Sequence, residues 1–126
     1  MRPVWPFFAV GIGLTPIYAS AEIANATKAA RTGKFDVAGN VRCAQQPDAP
    51  MEVCPAQVAH SGTAAAVVVL FPSGFSRMLM FDNGIFLRGN TTMSGTGKDT
   101  DWSISSGIFS VRVDDQFFEI SEDLLK

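Results

Sequence analysis

The chain has 126 residues, of which 47% are hydrophobic and 17% are charged, and its formal net charge at pH 7 is −2. This length suits one small domain. The slightly acidic balance argues against nucleic acid and against anionic membrane surfaces as partners, because both are recognised through clustered Lys and Arg.

The first 21 residues have the features of a cleaved export signal. Arg2 supplies a positive start, Val4 to Ile17 are mostly apolar, and Ala19-Ser20-Ala21 places small residues where a signal peptidase requires them. A spanning helix needs about 20 consecutive apolar residues, and this stretch is shorter and interrupted by Gly and Pro; a retained membrane anchor is the alternative. We expect a periplasmic or secreted bacterial protein, cleaved after Ala21, with no membrane span in the mature chain.

The composition divides the chain into a signal peptide (1–21), a tether (22–34) and a single β-rich domain (35–126). The tether is rich in Ala and has helix propensity. It has no strong apolar stripe, so we expect it to be flexible or helical and only loosely attached. Nine Lys and Arg remain against twelve Asp and Glu once Arg2 is removed, which gives the mature chain a charge of −3.

The segment Thr63 to Arg88 has the pattern of a three-stranded meander. Thr63 to Phe71 is a continuous, partly β-branched apolar run that ends at the turn Pro72-Ser73-Gly74, which predicts a strand buried on both faces. The returning strand, Phe75 to Phe81, places Val69 opposite Arg77 and Val67 opposite Leu79. Asn83-Gly84 is a strong hairpin signal and pairs Phe81 with Phe86.

A second hairpin is predicted from Ile108 to Ser121 around Asp114-Asp115. Its register places Val111 opposite Phe118 and Phe109 opposite Ile120, so one face is apolar and the other mostly polar. Phe117 falls on the polar face, where an aromatic side chain either packs under a loop or marks a contact site.

These patterns predict an all-β domain: a small antiparallel meander of six or seven short strands, built as a half-open barrel or as two packed sheets. Trp102 is expected to cover one end. The predicted core consists of Val67, Val69, Leu79, Phe81, Phe109, Val111, Phe118 and Ile120.

The two cysteines, Cys43 and Cys54, are predicted to form a disulfide, because an even cysteine count is typical of stapled exported domains. Their spacing does not fit a Cys-x-x-Cys redox pair, and a zinc site needs more ligands than the single His60 adds. The loop between them is a candidate cover for a sheet edge.

The segment Gly89 to Asp101 is a polar loop and is long for a compact domain. It is the main candidate for a partner-binding loop, and whether it is functional or disordered is left open. The candidate contact residues are Asn90, Thr91, Thr92, Lys98, Asp99 and Asp101.

Motifs for catalysis and cofactors are weak. His60 is the only histidine and is expected at the surface beside a turn; Ser61 would point to the opposite face, so a Ser-His-Asp triad is not predicted. Asp114 and Asp115 fit turn positions, where they are expected to be solvated. Gly95 to Asp99 fails the phosphate-loop pattern. No catalytic residue, cofactor or metal is therefore predicted.

Four motifs stand out together: Cys43-Ala44-Gln45, Met51 to Pro55, the Pro72-Ser73-Gly74 turn and Val113 to Ile120. In this combination the chain resembles a group of small exported bacterial proteins of unassigned activity, which have two cysteines and a β-rich domain. Ser73, Asp114 and Phe118 depart from that group's pattern. The resemblance implies a periplasmic β-rich protein and carries over no catalytic residue.

Three functions follow as hypotheses. The first is a non-enzymatic exported binding or accessory module whose partner is another periplasmic protein. The second is an inhibitor of an exported hydrolase, such as a lysozyme or a protease, which would use the loop 89–101 or 43–54. The third is a small periplasmic hydrolase.

Overall fold

The computed structural model describes residues 21–92 and 95–126. The predicted export signal lies outside the described residues except for Ala21, so the signal and its cleavage stay predictions.

Eight antiparallel strands form one sheet. They are β1 Val37–Ala44, β2 Glu52–Ser61, β3 Ala64–Leu70, β4 Ser76–Asp82, β5 Ile85–Gly89, β6 Thr100–Ser105, β7 Ile108–Val113 and β8 Gln116–Ser121, followed by a 3₁₀ turn, Glu122–Leu125.

The sheet curls into a nearly closed barrel. The strand order is β5-β4-β3-β2-β1-β8-β7-β6, so β5 and β6 are the two edges. At the seam, Gly89 of β5 lies against Val113 of β7: a Cβ atom on Gly89 would come within 2.8 Å of Val113 Cγ1. A side chain there would push the two ends of the sheet apart, so this glycine is needed for the close approach.

The predicted all-β class and both hairpin registers are confirmed. Val69 pairs with Arg77 and Phe81 with Phe86, and Val111 pairs with Phe118. The sheet has eight strands where six or seven were predicted, and β1 runs through Gly39-Asn40 without a break.

The barrel interior is filled by the predicted core. All eight predicted residues are at most 2% exposed, and Trp102 packs against this core through Phe109, with ring centroids 5.8 Å apart. Inward side chains alternate with outward ones along each strand, as a half-buried strand requires.

A helix, α1, occupies residues 21–31 and covers the outer face of the sheet. Ala26 and Ala30 are buried against Ala66 and Met80, so β3 is buried on both faces, as predicted. The expectation of a loose attachment is wrong: small alanine side chains let α1 approach the sheet closely, and propensity alone does not reveal this packing.

The Cys43–Cys54 disulfide is confirmed, with a Cα–Cα distance of 6.0 Å. The cysteines lie on β1 and β2 in the middle of the sheet, and the role of the loop between them as an edge cover stays a prediction.

Replacing Phe118 with Ala should lower the free energy of unfolding by about 3–5 kcal/mol, since this ring is 1% exposed in the core. Glu119→Ala, the matched change on the outer face, should cost at most about 1 kcal/mol because its ion pair with Arg42 is exposed. Urea unfolding of both variants measures the difference. Equal, small losses would show that the β7–β8 register is wrong.

Candidate functional site

A buried arginine organises one end of the barrel. Arg77 lies on β4 with its side chain only 1% exposed. Its Nε donates a hydrogen bond to Gln116 Oε1 at 2.7 Å, its Nη1 donates to the Asn90 carbonyl, and its Nη2 donates to Asp114 Oδ2 at 3.1 Å. A guanidinium has five N–H donors and no acceptor. These three acceptors, which come from separate elements, offset the free energy that it costs to remove the charge from water.

Asp114 links this arginine to the loop 90–99. Its backbone lies in the left-handed region, with φ 53°, in the turn between β7 and β8. Its Oδ2 also accepts a hydrogen bond from Gly97 N–H at 2.8 Å, and its own N–H donates to the Asp99 carbonyl at 2.7 Å. Gly97 has φ +73° and approaches the Asn90 carbonyl so closely that a Cβ atom would lie 2.6 Å from that oxygen.

The environment of Asp114 lowers its pKa. Burial by itself raises the pKa of this carboxyl, but the hydrogen bond from Gly97 and the charge of Arg77 outweigh it, and the pKa falls below the ordinary 3.8. The expectation of a solvated turn carboxylate is therefore wrong for Asp114, whose side chain is 19% exposed.

The predicted loop residues have two different roles. Asn90 faces inward: its N–H donates to the Met78 carbonyl and its Oδ1 accepts from Met78 N–H. Thr92 forms a bridge with Gly95. Thr91 and Lys98 are exposed, so they are the members of the predicted set that face solvent in this part of the loop.

Asp99 and Asp101 lie where the loop joins β6. Asp99 Oδ1 accepts a hydrogen bond from Arg112 Nη2 at 3.2 Å, and it raises the pKa of Arg112 above its usual value. Asp101 Oδ1 accepts from the N–H of Trp102 at 2.9 Å and so covers a polar group of the edge strand β6.

A groove of about 540 Å³ lies on the outer face of the barrel over Phe117. Phe117 and Ala44 are cross-strand partners in its floor. One wall is the loop between β1 and β2, through Pro47, Ala49 and Met51, and the other is β6, with Trp102 among the lining residues. The disulfide ties the two strands that carry this loop, so the wall is held close to the sheet.

Two of the charged side chains that line this groove, Arg112 and Glu119, form ion pairs. Arg112 bonds with Asp99 and also donates to the Asp114 carbonyl at 2.9 Å. Glu119 pairs with Arg42 at 3.4 Å. The groove therefore offers the apolar floor of Phe117 and Ala44, with ion-paired Arg112 and Glu119 and the carboxylate of Asp101 around it. The sequence predicts Phe117 as an aromatic side chain on the polar face of β8. The structure adds that the loop between β1 and β2 packs beside it, so that Phe117 lies in the floor of the groove.

His60 is not the surface histidine predicted from the sequence. Its side chain is 21% exposed, its Nδ1 lies 3.3 Å from Asp36 Oδ2, and its backbone N–H donates to the same oxygen at 2.6 Å. That backbone bond is the main cause of the lowered pKa of Asp36. His60 Nε2 is buried without a hydrogen-bond partner in the described chain. The strand alternation explains this, since His60 shares the inner face of β2 with Val58.

Residues 21–92 and 95–126 contain no group of three or more His, Cys, Asp or Glu side chains arranged to hold a metal ion. Among these same residues, none of the helices has the length and apolar character needed to cross a membrane.

Comparisons with protein-family models, with curated proteins and with solved structures give no significant match. The resemblance to small exported bacterial proteins stays a prediction.

Asp114→Asn should destabilise the protein by about 3 kcal/mol at pH 7, because it leaves the buried Arg77 charge without its carboxylate. The folded pKa of Asp114 is lowered, so its stabilising effect is present above the ordinary value of 3.8 and is lost as the pH falls through the folded value. Urea unfolding between pH 7 and pH 2 should show the variant and the wild type converging in acid.

Asp115→Asn is the matched control, because Asp115 is the exposed neighbour in the same turn. It should change the free energy of unfolding by no more than about 0.5 kcal/mol. A similar loss in both variants at pH 7, or a difference that does not depend on pH, would contradict the role of Asp114.

Proposed function

We propose that the protein is an exported, non-enzymatic binding module that takes an extended peptide segment of another exported protein in the groove over Phe117. The observation that carries this proposal is the half-buried Phe117 ring in the floor of that groove. Aromatic side chains at the centre of a contact surface are the residues that most often dominate binding energy.

The shape and polarity of the groove support a peptide as the occupant. The apolar floor suits one apolar side chain, and the paired charges at the rim suit the polar backbone around it. The wall formed by β6 is an edge strand, and an edge strand can pair with the backbone of an added extended segment. The disulfide between Cys43 and Cys54 supports an export location, where disulfides persist.

An inhibitor of an exported hydrolase is supported less well. Such a protein needs a projecting loop, whereas several residues of the loop 90–99 point inward: Asn90 bonds to β4, and Gly97 bonds to Asp114. These contacts make the loop a support for the end of the barrel, and they leave the groove as the better candidate.

The test is a panning experiment with a displayed heptapeptide library against the purified protein. Isothermal titration calorimetry measures the affinity of each selected peptide. Selected peptides should carry an apolar side chain and should bind saturably. Phe117→Ala should weaken their binding by about 30-fold, which is the size of a central hot spot.

Leu87→Ala is the matched control, since Leu87 is an exposed apolar side chain on β5, away from the groove. It should leave peptide affinity unchanged. Failure to enrich any peptide, or equal affinity for the wild type and Phe117→Ala, would contradict the proposed function.

A further inference from the structure

Three cations from two distant parts of the chain line one groove. Lys28 and Arg31 lie on α1 and Arg88 lies on β5, and the groove between them has a volume of about 350 Å³. All three side chains are exposed. The remaining lining residues, Ile23, Ala24 and Thr27, belong to α1.

The cations of this groove differ from the other described arginines, because those arginines are paired with carboxylates. In the described chain, Arg42, Arg77 and Arg112 each form an ion pair with a carboxylate. Across the same residues, no carboxylate forms an ion pair with any cation of the α1–β5 groove.

Two acidic side chains of the neighbouring elements are directed elsewhere. Glu22 lies on α1 and Asp82 on β4, and both carboxylates are directed at Thr63: its hydroxyl donates to Asp82 Oδ1 at 2.6 Å, and its N–H donates to Glu22 Oε1 at 3.4 Å. Thr27 is also engaged, since its hydroxyl donates to the Ile23 carbonyl at 2.8 Å. The groove therefore presents positive charge without an acid of its own to neutralise it.

The helix dipole explains the position of two of the three cations. Lys28 and Arg31 lie near the end of α1, where cations interact favourably with the helix dipole. Arg88 belongs to β5 and gains nothing from that dipole. It is brought to the groove because the alanine face of α1 fixes the helix on the sheet. Like charges held together repel one another, and a bound anion would relieve that repulsion.

We propose that the groove between α1 and β5 binds a phosphate group. Guanidinium side chains recognise phosphate oxygens through paired N–H donors, and an ammonium adds a third charge. The volume lies at the small end of ligand pockets, which span about 300–1,000 Å³. The phosphate can belong to a soluble anion or to the headgroup of an anionic lipid.

This site is separate from the proposed peptide groove. The phosphate site is formed by α1 and β5, whereas the groove over Phe117 is formed by β1, β6, β7, β8 and the loop after β1. The two proposals can therefore fail independently. The net charge of −3 expected for the mature chain does not reveal this local positive charge. No acidic side chain of the described chain lines the groove, and the nearby Glu22 and Asp82 are hydrogen-bonded to Thr63.

The test uses two probes on the purified protein. Inorganic phosphate is titrated at constant ionic strength while the backbone amide signals of Lys28, Arg31 and Arg88 are followed by NMR. Vesicles of phosphatidylcholine, with and without phosphatidylglycerol, are tested by co-sedimentation. We expect saturable binding of phosphate, of the phosphatidylglycerol vesicles, or of both, and the probe that binds identifies the source of the phosphate group.

The variant K28Q/R31Q/R88Q should weaken that binding by about tenfold or more. K34Q/K98Q/K126Q removes the same number of positive charges from other exposed positions and should retain the wild-type affinity. Circular dichroism should show both variants folded, because all six side chains are exposed. The proposal is overturned if neither probe binds the wild type, or if the two variants lose binding equally.

Discussion

The buried guanidinium of Arg77 is the constraint on which one end of the barrel depends. A charge with 1% exposure must be matched by acceptors from its surroundings. Gln116, Asp114 and Asn90 supply them from β8, the β7–β8 turn and the start of the loop 90–99. One side chain thereby fixes two segments that are far apart in sequence, and the carboxylate that neutralises it also holds Gly97.

This organisation positions the candidate peptide groove indirectly. The loop ends at Asp99, which bonds to Arg112 at the rim. Asp101 then covers the N–H of Trp102 at the beginning of β6. The wall that β6 gives to the groove therefore begins at a loop fixed from inside the barrel. The opposite wall, which is the loop between β1 and β2, is held by the disulfide that joins these two strands.

Local sequence signals were sufficient for the hairpins and the disulfide. Asn83-Gly84 predicts its own turn, and the alternation around Phe118 determines which face is buried. The position of Arg77 opposite Val69, on the same face as Leu79, already implied a buried arginine, but the acceptors it needs come from distant residues that no local pattern connects. The packing of α1 was missed for a similar reason, because Ala26 and Ala30 become an interface only against the alanines of β3.

The measurement that tests the role of Arg77 most directly is amide hydrogen exchange in the wild type and in Arg77→Met, which replaces the guanidinium with an apolar side chain. The Gly97 amide, which donates to Asp114, should exchange about tenfold faster or more in the variant, while the amides in the middle of β3 keep their protection. Unchanged protection at Gly97 would show that the loop holds its conformation without Arg77, and the account of this end of the barrel would be wrong.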